Sequence, residues 1–333
     1  MIFVTGGTGF LGRHLVPALC REGYRIRLLT RRPHEHPWLQ RYPNVEVIPG
    51  NIVEPATYAE ALQGCRWVIH AGGMFRMWGD EREFLETNVR GSGFLLEAAT
   101  KAQIERFIQI STVAVIGKPA PDSIIDETYP PRPLDPYQKS KLQAEQTALR
   151  YYREYGLPVI VLRPGAFYGP MGHYAFNRLF FKDPMRGIIM QVDGGRYIIF
   201  PVYIADVAQG IIQALARGNV GEIYNICGEW ITHREAFDII CQQAGIHWPR
   251  IPMPGWLDIP VARTLEAGFN LIGREPFWPL NLLRSYVHNN WRVSSEKAQR
   301  DLGFAPIDFE EGARRTIAWY KAGAPDDWVE LDR

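Results

Sequence analysis

Through the first half of the chain, uniformly apolar runs alternate with amphipathic ones. Met1-Ile2-Phe3-Val4 is continuous, as a strand buried on both faces requires, and Arg13 to Leu19 carries apolar residues at helical spacing. Tyr24 to Thr30, Val45 to Ile48, Trp67 to His70 and Phe107 to Ser111 read as further strands, with a helix from Glu83 to Ala102 before the last of them. Repeated strand and helix call for a parallel sheet with right-handed crossovers. Pro119 to Pro136 holds six prolines and little periodicity, so it is a loop. It delivers the chain to a long helix from Tyr137 to about Tyr155.

From Gly165 the alternation weakens. A helix near Phe176 to Phe181, a strand pair around Ile188 to Gln191 and Tyr197 to Val202, a helix from Ala205 to Ala216, a strand Glu222 to Cys227 and a helix His233 to Gln243 are expected. Leu257 to Ile272 predicts an amphipathic helix with Leu257, Val261, Leu265, Phe269 and Ile272 on one face and Arg263, Glu266 and Asn270 on the other. Asp258, Arg263 and Glu266 each cost about 2.5–3.5 kcal/mol at a bilayer centre, which excludes a span. Packing on its own lobe, a pocket wall and a membrane-surface face are the alternatives for it. Ser295 to Leu302 and Phe309 to Lys321 give two closing helices. The expected fold class is α/β: a doubly wound parallel sheet over residues 1–164, then a smaller C-terminal α/β substrate lobe over 165–333, some of whose segments return to the first domain.

Charge sharpens this picture by exclusion. With 37 Lys plus Arg against 36 Asp plus Glu there is no basic field to recruit nucleic acid, and small molecules are the expected partners. Cys20, Cys65, Cys227 and Cys241 lie singly in apolar segments without metal-like spacing, so no metal site is expected. The N-terminus opens inside a strand without a basic leader, which points to a cytoplasmic protein with no transmembrane segment. Seven of the ten tryptophans follow Gly228, giving the C-terminal lobe large apolar faces.

Candidate chemistry sits at the strand ends. Gly6, Gly9 and Gly12 punctuate the turn between the first strand and helix: the first permits a sharp turn, the second a close approach to a pyrophosphate, the third close helix packing, with the helix N-terminus aimed at phosphate. About twenty residues on, where an acid would meet a ribose 2′-hydroxyl, stand Thr30-Arg31-Arg32 instead. A guanidinium there suits a 2′-phosphate and favours NADP, with NAD as the alternative; two solvated arginines are the plainer reading. Asn51 and Ile52 follow the third strand where an adenine would lie, and Ala71-Gly72-Gly73 leave room for a dinucleotide. Of fifteen tyrosines only Tyr137 has a lysine four residues on, so its hydroxyl and the Lys141 ammonium share a helix face. An adjacent ammonium favours phenolate and brings the phenol toward the working range of an acid/base. Ser111-Thr112 ends the fifth strand at the sheet edge where ligands of such folds bind.

Taken together, Thr5 to Gly12, His70-Ala71-Gly72-Gly73, Asn88-Val89-Arg90-Gly91, Ser111-Thr112 through Gly117, Tyr137 with Lys141, and Leu162-Arg163-Pro164-Gly165-Ala166-Phe167-Tyr168-Gly169-Pro170 resemble the extended short-chain dehydrogenase/reductase superfamily, the NAD-dependent epimerase/dehydratase family, over nearly the whole chain. The resemblance implies Tyr137 as general acid/base, Lys141 on the nicotinamide ribose, and Thr112 orienting the substrate oxygen. It places cofactor contacts at Gly6, Gly9, Phe10, Leu11, Gly12, Arg31, Asn51, Ile52, Ala71, Gly72, Pro164 and Phe167, beside Tyr137 and Lys141. Substrate contacts are expected at Phe75, Trp78, Thr112 and Arg178, and family members commonly pair the helices Glu83–Ala102 and Tyr137–Tyr155 into a homodimer.

Thr30-Arg31-Arg32-Pro33 is similar to the NADP turn of dihydroflavonol 4-reductases. Asn51 replaces the usual Asp, Tyr203-Ile204-Ala205-Asp206-Val207 lacks the usual His and first Asp, and Phe167 replaces the Asn common in nucleotide-sugar epimerases. The expectation is an NAD(P)-dependent oxidoreductase interconverting a secondary alcohol and a ketone on a relatively apolar substrate. A nucleotide-sugar epimerase or dehydratase with tightly held NAD is the alternative, and a catalytically silent cofactor-binding scaffold the third.

Overall fold

The computed structural model describes residues 1–328. Six strands open the chain: β1 Ile2–Thr5, β2 Ile26–Thr30, β3 Val45–Pro49, β4 Trp67–His70, β5 Arg106–Ile110 and β6 Val159–Pro164. The lobe that follows carries β7 Ala166–Tyr168, β8 Met190–Val192, β9 Ile198–Ile199 and β10 Pro201–Tyr203; then β11 Ile223–Ile226 returns to the main sheet, and β12 Ile231–Thr232 and β13 Ile251–Met253 complete the set. The main sheet runs β11-β6-β5-β4-β1-β2-β3, every neighbouring pair parallel. The order reverses between β1 and β4, and in such sheets the crevice outside the carboxyl ends at that reversal is the ligand site.

Both faces of the sheet are covered, which is why its strands read as unbroken apolar runs. One face packs against the helices Gly12–Arg21 and Ile204–Arg217 through Leu15, Val16, Leu19, Val207, Ile211 and Leu215. The other packs against a helical stretch over 81–101 and the helix Pro136–Tyr155 through Leu95, Leu96, Ala99 and Ala148.

Two local features position chemistry. Asp135 caps the helix Pro136–Tyr155, accepting from Gln138 N at 2.8 Å with Pro136 at the first helical position, so Tyr137 falls in the first turn and Lys141 one turn later. The expected helix Glu83–Ala102 is present but interrupted: Leu85–Arg90 forms a π turn between Glu81–Phe84 and Gly91–Lys101. Such bulges often serve sites, and this one buries Asn88.

Two expectations for the lobe are corrected. Residues near Ile188 and Tyr197 do not pair with each other: β8 pairs in parallel with β13, β9 antiparallel with β12, and β10 in parallel with β7. The helix expected at Leu257–Ile272 forms as Gly255–Leu271, but its inward side is not the apolar stripe. Asp258 and Ala262 are buried while Leu265, Leu271 and Ile272 are exposed. The carboxylates decide the orientation, because His288 Nε2 lies 2.6 Å from Asp258 and Leu280 N donates to Glu266 at 2.9 Å.

Candidate active site

A cavity of about 640 Å³ runs along the carboxyl ends of β1, β4, β5 and β6, touching Gly6, Ala71, Ile110 and Gly165 in turn. Gly6 turns the chain with φ +72°, and a Cβ there would sit 2.5 Å from the Ala71 backbone. Gly12 is packed against Gly7, whose backbone a Cβ would meet at 2.2 Å, so the start of the helix lies directly on the turn that leaves β1.

Behind this loop runs a buried polar chain. Gly72 N donates to Thr5 Oγ1 at 3.1 Å, Thr5 meets His70 Nδ1 at 2.7 Å, His70 Nε2 meets Ser92 Oγ at 2.8 Å, and Ser92 donates to the Asn88 carbonyl at 2.5 Å. The directions are consistent with one tautomer, Nε2–H. Burial and the nearby Lys141 charge push His70 down to about 3, so it is neutral and structural. Asn88 extends the chain: its Oδ1 accepts from Met74 N at 2.7 Å and its Nδ2 donates to Met74 O at 3.0 Å and Ser140 Oγ at 2.9 Å. It fixes the Met74-Phe75 loop beside the helix that bears Tyr137. Asn88 was recognisable as part of a motif, but its positioning role depends on the π turn.

Tyr137, Thr112 and Lys141 all face the cavity. Thr112 lines the cavity together with Tyr137, and its hydroxyl is held by accepting from Ala114 N at 3.2 Å. The phenol ring meets Phe75 edge-on at 4.8 Å. Burial, then the Asp135 carboxylate, push Tyr137 well above the ordinary phenol, with the Thr112 hydroxyl opposing. This corrects the expectation of a phenol lowered by Lys141. One of the three Lys141 N–H groups donates to Ile110 O at 2.5 Å, and burial lowers the ammonium to about 8 against the Glu145 charge.

Glu145, one turn beyond Lys141, anchors a second cluster that sequence reasoning missed. Arg163 Nε and Nη2 donate to its two oxygens at 3.0 and 2.5 Å, and Ser111 Oγ donates to it at 2.6 Å. Both ionic side chains are almost fully buried; Ser111 and Thr112 both line the cavity, but the Ser111 proton is committed to Glu145.

With this geometry in place, residues 2–227 match the model of the NAD dependent epimerase/dehydratase family. The chain belongs to that family. It is an enzyme of the extended short-chain dehydrogenase/reductase type, whose relatives include reductases, dehydratases and epimerases. It is 30% identical over 308 residues to a 4-hydroxy-2-methyl-3-oxo-4-farnesyl-3,4-dihydroquinoline-1-oxide ketoreductase of Stigmatella aurantiaca, covering 91% of each chain. It is 28% identical to a putative dihydroflavonol 4-reductase of Synechocystis, covering 96% of this chain and 94% of that one. Among solved structures, the dTDP-glucose 4,6-dehydratase of Streptomyces venezuelae, with NAD bound, superimposes with a TM-score of 0.79 at 27% identity, covering 96% and 97%.

The residues at the sheet reversal fit the dinucleotide this family uses. Gly6 and Gly9 leave the loop bare before the Gly12–Arg21 helix, Ala71 and Gly73 leave the end of β4 bare, and a Cβ at Gly73 would lie 3.7 Å from Lys141 Nζ. Phe10, Leu11 and Phe167 line the same end, the two rings 5.7 Å apart. Gly12, Gly72 and Pro164 are not among the residues that line the cavity. Arg31, Asn51 and Ile52 lie apart from the cavity at the ends of β2 and β3, where Asn51 Nδ2 donates to Glu54 at 3.0 Å.

Of the expected substrate contacts, Phe75 and Thr112 line the cavity and two others do not. Trp78 Nε1 donates to Asn270 Oδ1 at 2.8 Å, tying its loop to the Gly255–Leu271 helix. Arg178 is 3.5 Å from Asp183, donates to Phe277 O and lies over the Phe277 ring at 4.4 Å. It is therefore engaged by its neighbours, and Arg76, exposed and 3.4 Å from Glu83, does not line the cavity either.

Proposed function

We propose that this enzyme interconverts a secondary alcohol and a ketone on a predominantly apolar substrate, using NADP(H). The observation that carries the reading is the composition of the cavity beyond Thr112 and Tyr137. Phe75, Phe176, Phe180, Phe237 and Trp278 wall it, and Arg13 and Lys141 are the sole Lys or Arg side chains among the described residues lining it. Lys141 stands beside Tyr137, and Arg13 is tied to Asp326 and packed over Trp38 at 5.5 Å. A nucleotide-sugar diphosphate desolvated here would lack counter-charges, and each buried unpaired polar group costs about 1–3 kcal/mol. The dehydratase likeness supports the epimerase alternative, but this lining weighs against it.

The chain's own groups supply the proton chemistry. Thr112 and Tyr137 line the same cavity, and in this reading a carbonyl oxygen bound there accepts from both hydroxyls. Burial keeps the phenol protonated, the state from which Tyr137 gives its proton to the developing alkoxide. The nicotinamide, when bound, supplies or takes the hydride at the carbon. The apolar walls exclude water from that carbon.

NADP preference rests on Arg31, exposed at the end of β2 with no bonded partner among the described residues, whereas Arg32 pairs with Glu35 at 3.3 Å. Replacing Arg31 by Ala is expected to weaken NADP binding by about 2 kcal/mol, the scale of a charge-assisted hydrogen bond, and to leave NAD binding nearly unchanged. Calorimetric titration with both cofactors checks this. Equal affinities of the unmodified protein for NAD and NADP would remove the basis for the assignment. The reaction itself is tested by NADPH consumption with apolar ketones.

A further inference from the structure

The outward turn of the Gly255–Leu271 helix leaves an apolar surface that the fold does not cover. Trp256, Pro260, Ala267 and Leu271 follow one another at helical spacing on its exposed side, with Trp256 77% and Leu271 88% accessible and Ile272 63% beyond the end. Neighbouring segments extend the surface. Trp248, 61% accessible, lies against Gly187, and Ile251, exposed on β13, donates its N–H to Ile189. Ile188 and Phe277, both exposed, also line the cavity, so apolar residues of the cavity wall reach the outer surface beside these segments.

Charge along the helix and the turn after it is sorted by sign. Between residues 255 and 275 the three carboxylates are all engaged with the protein: Asp258 with His288, Glu266 with Leu280 N, and Glu275 with the Tyr174 hydroxyl. The two guanidiniums, Arg263 and Arg274, are exposed and have no bonded partner among the described residues. A helix that exposes tryptophan and leucine, keeps its acids inward and shows only cations outward has the make-up of an interfacial element.

We infer that this face docks the enzyme on an anionic lipid bilayer, placing the mouth of the apolar cavity at the membrane surface. The cations meet the headgroups, and Trp256, Leu271 and Ile272 enter the acyl boundary. A lipophilic substrate then reaches Tyr137 from the bilayer without crossing water. The route rests on the apolar reading of the cavity, whereas the docking does not.

Co-sedimentation of the full chain with vesicles of phosphatidylcholine alone, or of an equimolar mixture with phosphatidylglycerol, tests the docking without any turnover, so its failure and failure of the reductase reading are distinguishable. The unmodified protein is expected to pellet with the mixed vesicles, much less with the neutral ones, and to be released by high salt. Trp256→Ser combined with Leu271→Ser is expected to weaken binding by about tenfold or more while the melting temperature holds, because both side chains are already in water. Arg263→Gln with Arg274→Gln is expected to abolish the preference for anionic vesicles and keep the fold. The inference is overturned if the unmodified protein stays in the supernatant, or if either double variant binds like it. Elution as a dimer that Trp256→Ser and Leu271→Ser convert to monomer, with no vesicle binding, would assign the face to self-association and overturn it as well.

Discussion

Replacing Tyr137 with Phe is expected to lower kcat by a factor of about 10² to 10⁴, the range assigned to a positioned general acid, with little change in dinucleotide affinity. Only the hydroxyl is lost. The ring keeps its contacts with Phe75 at 4.8 Å and Phe84 at 6.5 Å, and the bare glycine loop at the end of β1 is untouched. Rapid-mixing kinetics and cofactor titration on the same preparation separate the two quantities. Turnover within a few-fold of the unmodified enzyme would show that the proton reaches the substrate oxygen by another route. Thr112→Val then serves as the companion, since it removes the second hydroxyl on the cavity beside Tyr137 and leaves the proton donor in place.

The second large effect is on stability. Glu145→Ala removes both acceptors from Arg163, whose side chain is 4% exposed, and leaves Ser111 without its 2.6 Å bond. An uncompensated buried charge of this kind costs about 3–5 kcal/mol, which urea unfolding resolves. Adding Arg163→Met to that variant removes the stranded charge and is expected to recover much of the loss, because a buried ion pair is often matched by apolar groups of similar volume. If the midpoint barely moves in Glu145→Ala, the cluster contributes nothing to the fold. If the double variant is no better than the single one, packing rather than charge is the cause.

The parts of the molecule legible in the sequence are those whose signal is local. Continuous apolar runs such as Met1 to Val4 and the glycine spacing after it specify a buried parallel strand and a turn by themselves. The capped first turn at Asp135-Pro136 puts Tyr137 and Lys141 one turn apart on the cavity, as their spacing predicts. The lobe is different. Strands such as Ile198–Ile199 and Ile231–Thr232 are two residues long and find each other across some thirty positions, too short to show any period.

The helix Gly255–Leu271 misled for a related reason. Its apolar stripe is real, but the partners that draw Asp258 and Glu266 inward, His288 and the Leu280 N–H, lie outside the helix and leave no mark in its periodicity. Arg178 is similar, since nothing in its neighbourhood of sequence announces that Phe277 will cover it. For Tyr137, spacing reports which groups share a helix face, whereas the phenol's titration also follows its burial and the Asp135 carboxylate, which the Tyr137–Lys141 spacing does not show.

The account stands most directly on whether the cofactor is consumed. Enzyme and NADPH are mixed with a panel of aromatic, steroid-like and aliphatic ketones, and separately with nucleotide sugars, following nicotinamide absorbance and product together. The account predicts steady loss of NADPH with at least one apolar ketone, one equivalent for each alcohol formed, and none with the sugars. Inversion or dehydration of a nucleotide sugar with no net change in nicotinamide absorbance would contradict it.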